Sequence, residues 1–497
     1  MRQLLSTTPT NMSGTNLDAP NESNLTWYEG ITKYQWLVLL IACLGWIFDV
    51  FEGQIFVASM RDAMPDLLRD ADSNIPAEST FSAWNNIAFG FFLLGGAIGG
   101  VFFGMLSDRI GRSKTMVYTI LFYSLFTCLS AFSQQPWHMV VLRFLVAMGV
   151  GGEWAVASAM VAEVMPTRSR AVMGSIFHAS SVFGTLLAAG TIAMLIGNQE
   201  LNAQIAEAGY DPWRIGFAIG VLPALLTVWI RWKLREPDSW VRAQERAKTE
   251  SDQQPGRIQE LFQGPQLRAT VVGVLLATIG LVTFWGIHIY GKNALLRRAQ
   301  ADVLAEANVT PPAPGAAKQE QDAFKAAKTE VLGTADNKAR VKRAEMLSMV
   351  LNTIGGGLGL VLFGWISNML GRKGAFVFYH VIAFAMVLLM FLVLIPNTEI
   401  SPWILAAVLP IFGFFTLGMH AGYAVYFPEL YPTRLRGTGA GFCFNVGRLG
   451  TAAAFLIFGL WIQIAPETQA LYFAPLYVLG AVVVLFGRET RGTELPE

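Results

Sequence analysis

From residue 34 almost to its end the chain alternates long apolar runs with short polar loops. A hydrocarbon core ~30 Å thick needs about 20 apolar residues at 1.5 Å each. Runs of that length recur at 34–57, 83–106, 115–133, 137–163, 171–197 and 213–232. A second set follows at 269–290, 345–367, 375–395, 402–427, 437–461 and 469–487. They are too long and too uniformly apolar for the alternating strands of a membrane β-barrel. The pattern therefore predicts an all-α membrane protein with twelve transmembrane helices. Residues 1–33 are polar and lack the apolar core of a signal peptide, so a tail is expected there, and 488–497 form a second polar tail.

The polar loops set an orientation, because Lys and Arg concentrate on the cytoplasmic side of a membrane protein. One set of alternate loops holds Arg109, Arg112 and Lys114; Arg168 and Arg170; Arg372 and Lys373; and Arg434 and Arg436. The connector 234–268 falls on the same side and is rich in Arg, whereas the opposite short loops contain only Arg61 and Arg69. Both termini and the connector are expected to be cytoplasmic, in a multi-pass protein of the inner or plasma membrane. A Lys-rich insert at 291–343 falls on the outer side; its Ala/Lys/Glu composition, broken at Pro311–Gly315, predicts an external helical hairpin. The expected organisation is a tail (1–33), a six-helix bundle (34–233), the connector (234–268), a second bundle with its insert (269–487) and a tail (488–497).

Composition agrees: of 497 residues, 53% are hydrophobic and 14% charged, and mean hydropathy is +0.45. Soluble domains carry about 25% charged residues, so a disordered or nucleic-acid-binding chain is excluded. Net charge is +1, which gives no bulk attraction to an acidic polymer. Cys43, Cys128 and Cys443 lie far apart inside apolar runs and suit core thiols rather than a disulfide or metal site. No phosphate-binding loop for ATP and no enzyme constellation occurs, so neither catalysis nor a cofactor is expected.

An internal repeat organises the chain. Gly104-Met-Leu-Ser-Asp108-Arg-Ile-Gly111-Arg112 returns as Gly364-Trp-Ile-Ser-Asn368-Met-Leu-Gly371-Arg372, 260 residues later. Glu163-Val-Met-Pro166-Thr-Arg168-Ser-Arg170 returns as Glu429-Leu-Tyr-Pro432-Thr-Arg434-Leu-Arg436, 266 residues later. Two long motifs in one order at nearly one offset indicate two parallel six-helix repeats, a transporter architecture. The Gly-x3-Asp-Arg-x-Gly-Arg loop, the Arg143…Gly149-x-Gly151 pattern and Pro-Thr-Arg-x-Arg resemble signatures of the major facilitator superfamily. Gly151-Gly152-Glu153-Trp154 and Glu236-Pro-Asp-Ser-Trp240 resemble bacterial proton-linked sugar, carboxylate and sialate porters. The resemblance implies alternating access and a cytoplasmic gate built from the repeated loops: Asp108, Arg109, Arg112, Glu163, Arg168, Arg170, Asn368, Arg372, Glu429, Arg434 and Arg436. Asp108 would pair with a facing Arg or bind a helix N-terminus. Asn368 stands where the first copy has an acid, so a charge-based gate is expected only in the N-terminal half. Glycines four residues apart at 96, 100 and 104, and at 355 and 359, suit close helix crossings.

Ionisable groups at membrane depth cost several kcal/mol and face a cavity or a partner. The candidates are Asp49, Glu52, Arg143, Glu153 and Arg448, with His178 and His420 read as helix–helix contacts. Depth counting puts Asp49 roughly 22 Å from the cytoplasmic edge and Arg143 at much the same level. An Asp49–Arg143 pair is expected, or Glu52 in place of Asp49, since three-residue spacing puts it on a neighbouring face. Asp49, Glu52, Glu153 and Arg143 are the proton-coupling candidates. Arg448, aligned with Val182 in the first half, is the candidate anchor for a substrate carboxylate, beside Asn445. Trp46, Gln54, Trp154, Trp285 and Asn352 complete the expected pocket, with aromatic packing as the alternative role. The expected function is secondary transport of a small organic anion, a monocarboxylate or acidic sugar, with protons as the coupling ion. A neutral sugar or polyol symporter and a transporter-like nutrient sensor are the alternatives. The expected partners are that solute, protons and the bilayer, around a functional monomer.

Overall fold

The computed structural model describes residues 26–69, 78–192, 194, 198–313, 317–457 and 466–497. Most of the N-terminal tail, the Pro314–Gly315 part of the insert break, and the end of the eleventh run with most of its following loop lie outside the described residues.

The first part of the chain forms α1 (Lys33–Leu67), α2 (Glu78–Ile110), α3 (Arg112–Ser130), α4 (Pro136–Val164), α5 (Thr167–Ala179) and α6 (Ser181–Thr191). Then come α7 (Gln199–Glu207), α8 (Pro212–Ala218), α9 (Ala224–Lys233) and α10 (Asp238–Thr249). The second part forms α11 (Gly264–Thr283), α12 (Ile289–Gly291), α13 (Ala294–Glu306), α14 (Lys318–Gly333) and α15 (Ala335–Leu388). It closes with α16 (Pro402–Gly418), α17 (Ala421–Leu430), α18 (Arg436–Ile457), α19 (Pro466–Phe473) and α20 (Pro475–Leu485). In lipid every backbone polar group needs an internal partner, so apolar runs of this length become helices. Seven described stretches, including Lys33–Met60, Ala83–Ile110, Pro136–Val164 and Pro402–Leu430, are long and apolar enough to cross a bilayer. The runs expected at 345–367 and 375–395 fall in one stretch, Ala335–Leu394, which turns at Gly371.

Local chemistry explains the boundaries. Thr32 caps α1: Gln35 N–H donates to Thr32 Oγ1 (3.2 Å), and Gln35 Oε1 accepts from Thr32 N–H (2.9 Å). The repeated loop motif turns at Gly111 and Gly371, where φ is +115° and +80°, a region that disfavours any side chain. Glu236 then receives the N–H groups of Arg112 (2.6 Å), Ser113 (3.2 Å) and Lys114 (3.3 Å) at the start of α3. Glu489 repeats the arrangement at Arg372 N (2.9 Å) and Lys373 N (3.1 Å). A carboxylate at such a point satisfies orphan donors and the helix dipole together.

The glycine spacing acts where α2 crosses its neighbours. A Cβ on Gly104 would stand 2.5 Å from Gly437 O, and one on Gly441 2.5 Å from Gly100 O. One on Gly151 would overlap Gly96 O. Helix α2 thus lies backbone to backbone against both α4 and α18, joining the two parts of the chain.

The insert departs from a simple hairpin. Helix α13 is docked, with Leu295, Ala299, Val303 and Leu304 buried, and Arg298 donates to Asn397 O (2.9 Å) and to Thr398 O. Helix α14 buries none of its residues. The third segment, from Ala335, runs without interruption into the next apolar helix, because Ala, Lys, Arg and Glu continue the helical preference across the water boundary.

Candidate functional site

Two groups of polar residues stand out, one inside the apolar layer and one at the face bearing the Arg-rich loops.

Inside, Arg143 is fully buried on α4 and pairs through Nη1 with Glu52 Oε1 of α1. Its Nη2 donates to Ser130 Oγ (2.6 Å), and the rings of Phe56 and Phe217 flank it at 5.1 and 4.9 Å. Thr127 Oγ1 adds a bond to Glu52 Oε1 at 3.0 Å. Of the two expected pairings, Arg143 thus takes Glu52 rather than Asp49. Asp49, 2% exposed, interacts with the Tyr123 hydroxyl and lies within electrostatic reach of Glu153, Glu52 and Arg448. Glu153, fully buried on α4, meets Thr119 Oγ1 at 2.5 Å and lies against Gly45, where a Cβ would come 2.6 Å from Oε1.

Arg448 reaches into this group from α18. Its guanidinium lies over the Phe444 ring at 5.2 Å and beside Gly96, whose Cβ would come 2.6 Å from Nη1. It is half-buried, and among the described residues it has no hydrogen bond and no carboxylate within 4 Å. Gly96 is therefore a window that lets a cation from the second part of the chain approach acids of the first.

At the Arg-rich face, Arg112 Nη1 binds Asp108 Oδ1 (2.6 Å) and Nη2 binds Glu163 Oε1 (2.8 Å). Glu163 Oε1 also receives Arg436 Nη1 at 2.8 Å. Asp108 caps α18, accepting from Gly437 N (3.0 Å), Thr438 N (2.8 Å) and Thr438 Oγ1 (2.5 Å). In the second copy Arg372 Nη2 binds Glu429 Oε1 (2.8 Å), the counterpart of the Arg112–Glu163 tie, while Arg372 Nη1 donates to Asn368 Oδ1 (3.1 Å) where the first copy has the Asp108 carboxylate. The asymmetry survives where the halves meet. Asn368 Nδ2 donates only to Arg168 O, at 3.4 Å, and Glu429 stands 3.9 Å from Arg170.

Residues 54–268 match the family described as "Sugar (and other) transporter". The sialic acid transporter NanX of Escherichia coli is 25% identical over 86% of this chain and 87% of its own length. The cis,cis-muconate transport protein of Acinetobacter baylyi is 27% identical over 88% of this chain and 93% of its own. The major facilitator superfamily proton:xylose symporter XylE superposes with a TM-score of 0.62 at 16% identity, covering 93% of this chain and 98% of that one. The chain is similar to these transporters over most of its length. Its fold is the all-helical fold of that superfamily, and these relatives are transporters, not enzymes.

Within the major facilitator fold, several expected positions are placed differently. Asn445 is fully buried and donates to Gly151 O (3.3 Å) and Gly441 O (2.9 Å), so it holds the α4–α18 contact rather than standing open beside Arg448. Trp154 is enclosed, stacked on Phe444 at 4.0 Å, with Nε1 donating to His178 Nδ1 (3.3 Å). Trp46 Nε1 donates to His178 O at 3.2 Å. Gln54 is exposed and, five residues on from Asp49, lies roughly 140° around the helix from it. Asn352 Nδ2 bonds His288 Nε2 (3.2 Å) in a polar group of its own, and Trp285 is 41% exposed, edge-on to Phe89.

Three gate candidates make no carboxylate tie to the central network. Arg109 donates to Gly256 O (3.3 Å), Arg168 to Glu29 O, and Arg434 pairs with Glu260 of the connector. Sequence reasoning missed Thr119, Tyr123 and Thr127, whose four-residue spacing along α3 was the available signal. It also left Glu236 and Glu489, both preceded by Arg, without a structural role.

Proposed function

We propose that the chain is a proton-coupled symporter of a small organic anion, working by alternating access between two six-helix bundles at 34–233 and 269–487. In this reading twelve helices cross the inner membrane, the Arg-rich face is cytoplasmic, and the protein works as a monomer. The observation that carries it is the Arg448 guanidinium, which faces Asp49 and has no ion pair among the described residues. Asp49, Glu52 and Glu153 set three carboxyls against the two guanidiniums of Arg143 and Arg448. Full ionisation leaves one excess negative charge, which one bound proton neutralises. A substrate carboxylate on Arg448 adds another negative charge to the low-dielectric layer, and a further proton offsets it. Anion and proton are thereby favoured together, which is the thermodynamic content of symport.

The polar ties at the Arg-rich face hold that face closed. Opening must separate Asp108 from the N-terminus of α18 and Glu163 from Arg436, the bistable contact that occupancy would bias. Uptake into proteoliposomes tests the proposal, with cis,cis-muconate, sialic acid and D-xylose as probes. An inward proton gradient is expected to drive accumulation of one of the acids. Gradient-driven accumulation of xylose alone would replace the anion reading with a neutral-sugar one.

A further inference from the structure

One face of α3 carries Thr119, Tyr123 and Thr127, four residues apart and so about 6 Å apart along the axis. Each hydroxyl stands against a different buried acid, and the acids come from α1 and α4. Thr119 Oγ1 lies 2.5 Å from Glu153 Oε2, and Thr127 Oγ1 lies 3.0 Å from Glu52 Oε1. Between them, the fully buried Tyr123 lies within electrostatic reach of Asp49, Glu153 and Glu52. Its hydroxyl faces the Asp49 carboxyl closely enough for the two side chains to interact.

Threonines in apolar helices commonly bond only to their own preceding carbonyls. Thr119 does so as well, with Met116 O at 2.9 Å, and this makes its position informative. A hydroxyl has one proton. With Glu153 ionised, Thr119 turns that proton to the carboxylate; with Glu153 protonated, the acid donates to Thr119, which donates to Met116 O. Both states are satisfied without rearrangement of the helices. Tyr123 has no such local partner, because its hydroxyl is beyond reach of its own backbone. A buried hydroxyl needs a partner, and the group the Tyr123 hydroxyl faces is the Asp49 carboxyl.

We propose that Thr119, Tyr123 and Thr127 are positioning residues that join Glu153, Asp49 and Glu52 into one proton-sharing unit, with Tyr123 bridging Asp49 and Glu153. In one transfer the Glu153 carboxyl gives its proton to the Tyr123 oxygen as the Tyr123 hydroxyl proton passes to the Asp49 carboxylate. Glu153 ends ionised, Asp49 protonated and Tyr123 unchanged, so charge and protons balance. The groups facing Asp49 are Tyr123 from α3, Glu153 from α4, Glu52 from its own helix and Arg448 from α18. Arg143 faces Glu52. The inference rests on the proton-coupling reading and extends it to a helix that contributes none of the charges.

The test is a pH titration of the full chain in lipid vesicles, followed by infrared difference spectroscopy of the carboxylic-acid carbonyl bands, with the proton as the only probe. Asp49→Asn and Glu153→Gln assign the bands. Tyr123→Phe is expected to move the Asp49 midpoint by about one pH unit or more, the mark of broken coupling. Thr119→Val is expected to shift the Glu153 band, and Thr119→Ser to restore it. Bands and midpoints unchanged in both Tyr123→Phe and Thr119→Val would overturn the proposal. If Tyr123→Phe does not fold, the Thr119 Val–Ser comparison decides alone. Unchanged bands alongside proton-driven acid uptake would remove the ladder and leave the transport reading. Shifted bands without such uptake would remove the transport reading and leave the ladder.

Discussion

Arg143 is a buried cation whose position depends on one acid, Glu52. Removing one partner of such a pair leaves an uncompensated charge, at a cost of about 3–5 kcal/mol. Arg143→Ala should therefore lower thermal stability in detergent sharply, while Glu52→Gln combined with Arg143→Met should recover most of it, as a double-mutant cycle can measure. Arg448 differs, since no acid lies within ion-pair distance of it among the described residues. Arg448→Ala should leave the thermal midpoint nearly unchanged and abolish acid uptake in the proteoliposome assay; unchanged uptake would remove Arg448 from the site. The charges themselves were legible, because a charge held in an apolar run is costly and must meet a partner or a cavity. Their partners were not. Depth counting assumes untilted helices with level ends, and an error of one turn, about 5 Å, separates Asp49 from Glu52 as the acid facing Arg143.

Helix α2 shows what spacing conveys and what it omits. Gly96, Gly100 and Gly104 announce a close approach, and the structure adds that two helices approach, α4 and α18. Gly104→Ala would set a methyl 2.5 Å from a backbone carbonyl, which only separation of the helices relieves. It should reduce folded yield and thermal stability together. Gly90, on the same helix, has open space where a Cβ would stand, with nothing within 4 Å. Gly90→Ala should be neutral or stabilising by about 0.5–1 kcal/mol, because alanine restricts the unfolded chain. Equal effects from the two substitutions would contradict the crossing of α2 with α18. Helix α3 shows the opposite limit: the hydroxyls of Thr119, Tyr123 and Thr127 were visible in the sequence, but acids on other helices, far away along the chain, give them meaning.

Across the whole molecule, Glu163 joins the two halves by receiving Arg112 and Arg436. Glu163→Gln should shift the population toward an open Arg-rich face. A cysteine placed at the buried Ser107 should then react several-fold faster with a membrane-impermeant maleimide, in line with coupling energies of about 1–3 kcal/mol. The same face carries a pH-dependent element. Burial alone would raise the Glu489 carboxyl, but the N–H groups of Arg372, Lys373, Arg491 and Thr490 outweigh it and hold the group below the usual carboxylate range. A depressed folded value means that its stabilising contribution is present above the unfolded carboxylate range. That contribution is lost as pH falls through the folded value. Glu489→Gln should lower the neutral plateau and flatten the acid limb of stability against pH, so that the two proteins converge at low pH.

The sequence by itself determined the solvent, the helical class, the internal repeat and the set of buried charges, because each follows from local composition or from spacing along one chain. Tertiary structure alone decided that Arg143 takes Glu52, that Asn445 serves a helix crossing, that Arg372 meets Glu429 as Arg112 meets Glu163, and that Arg448 lies beside Gly96 within electrostatic reach of Asp49. These are distances between helices, set by tilt, rotation and the backbone contact that glycine permits. No periodicity within a single helix encodes them.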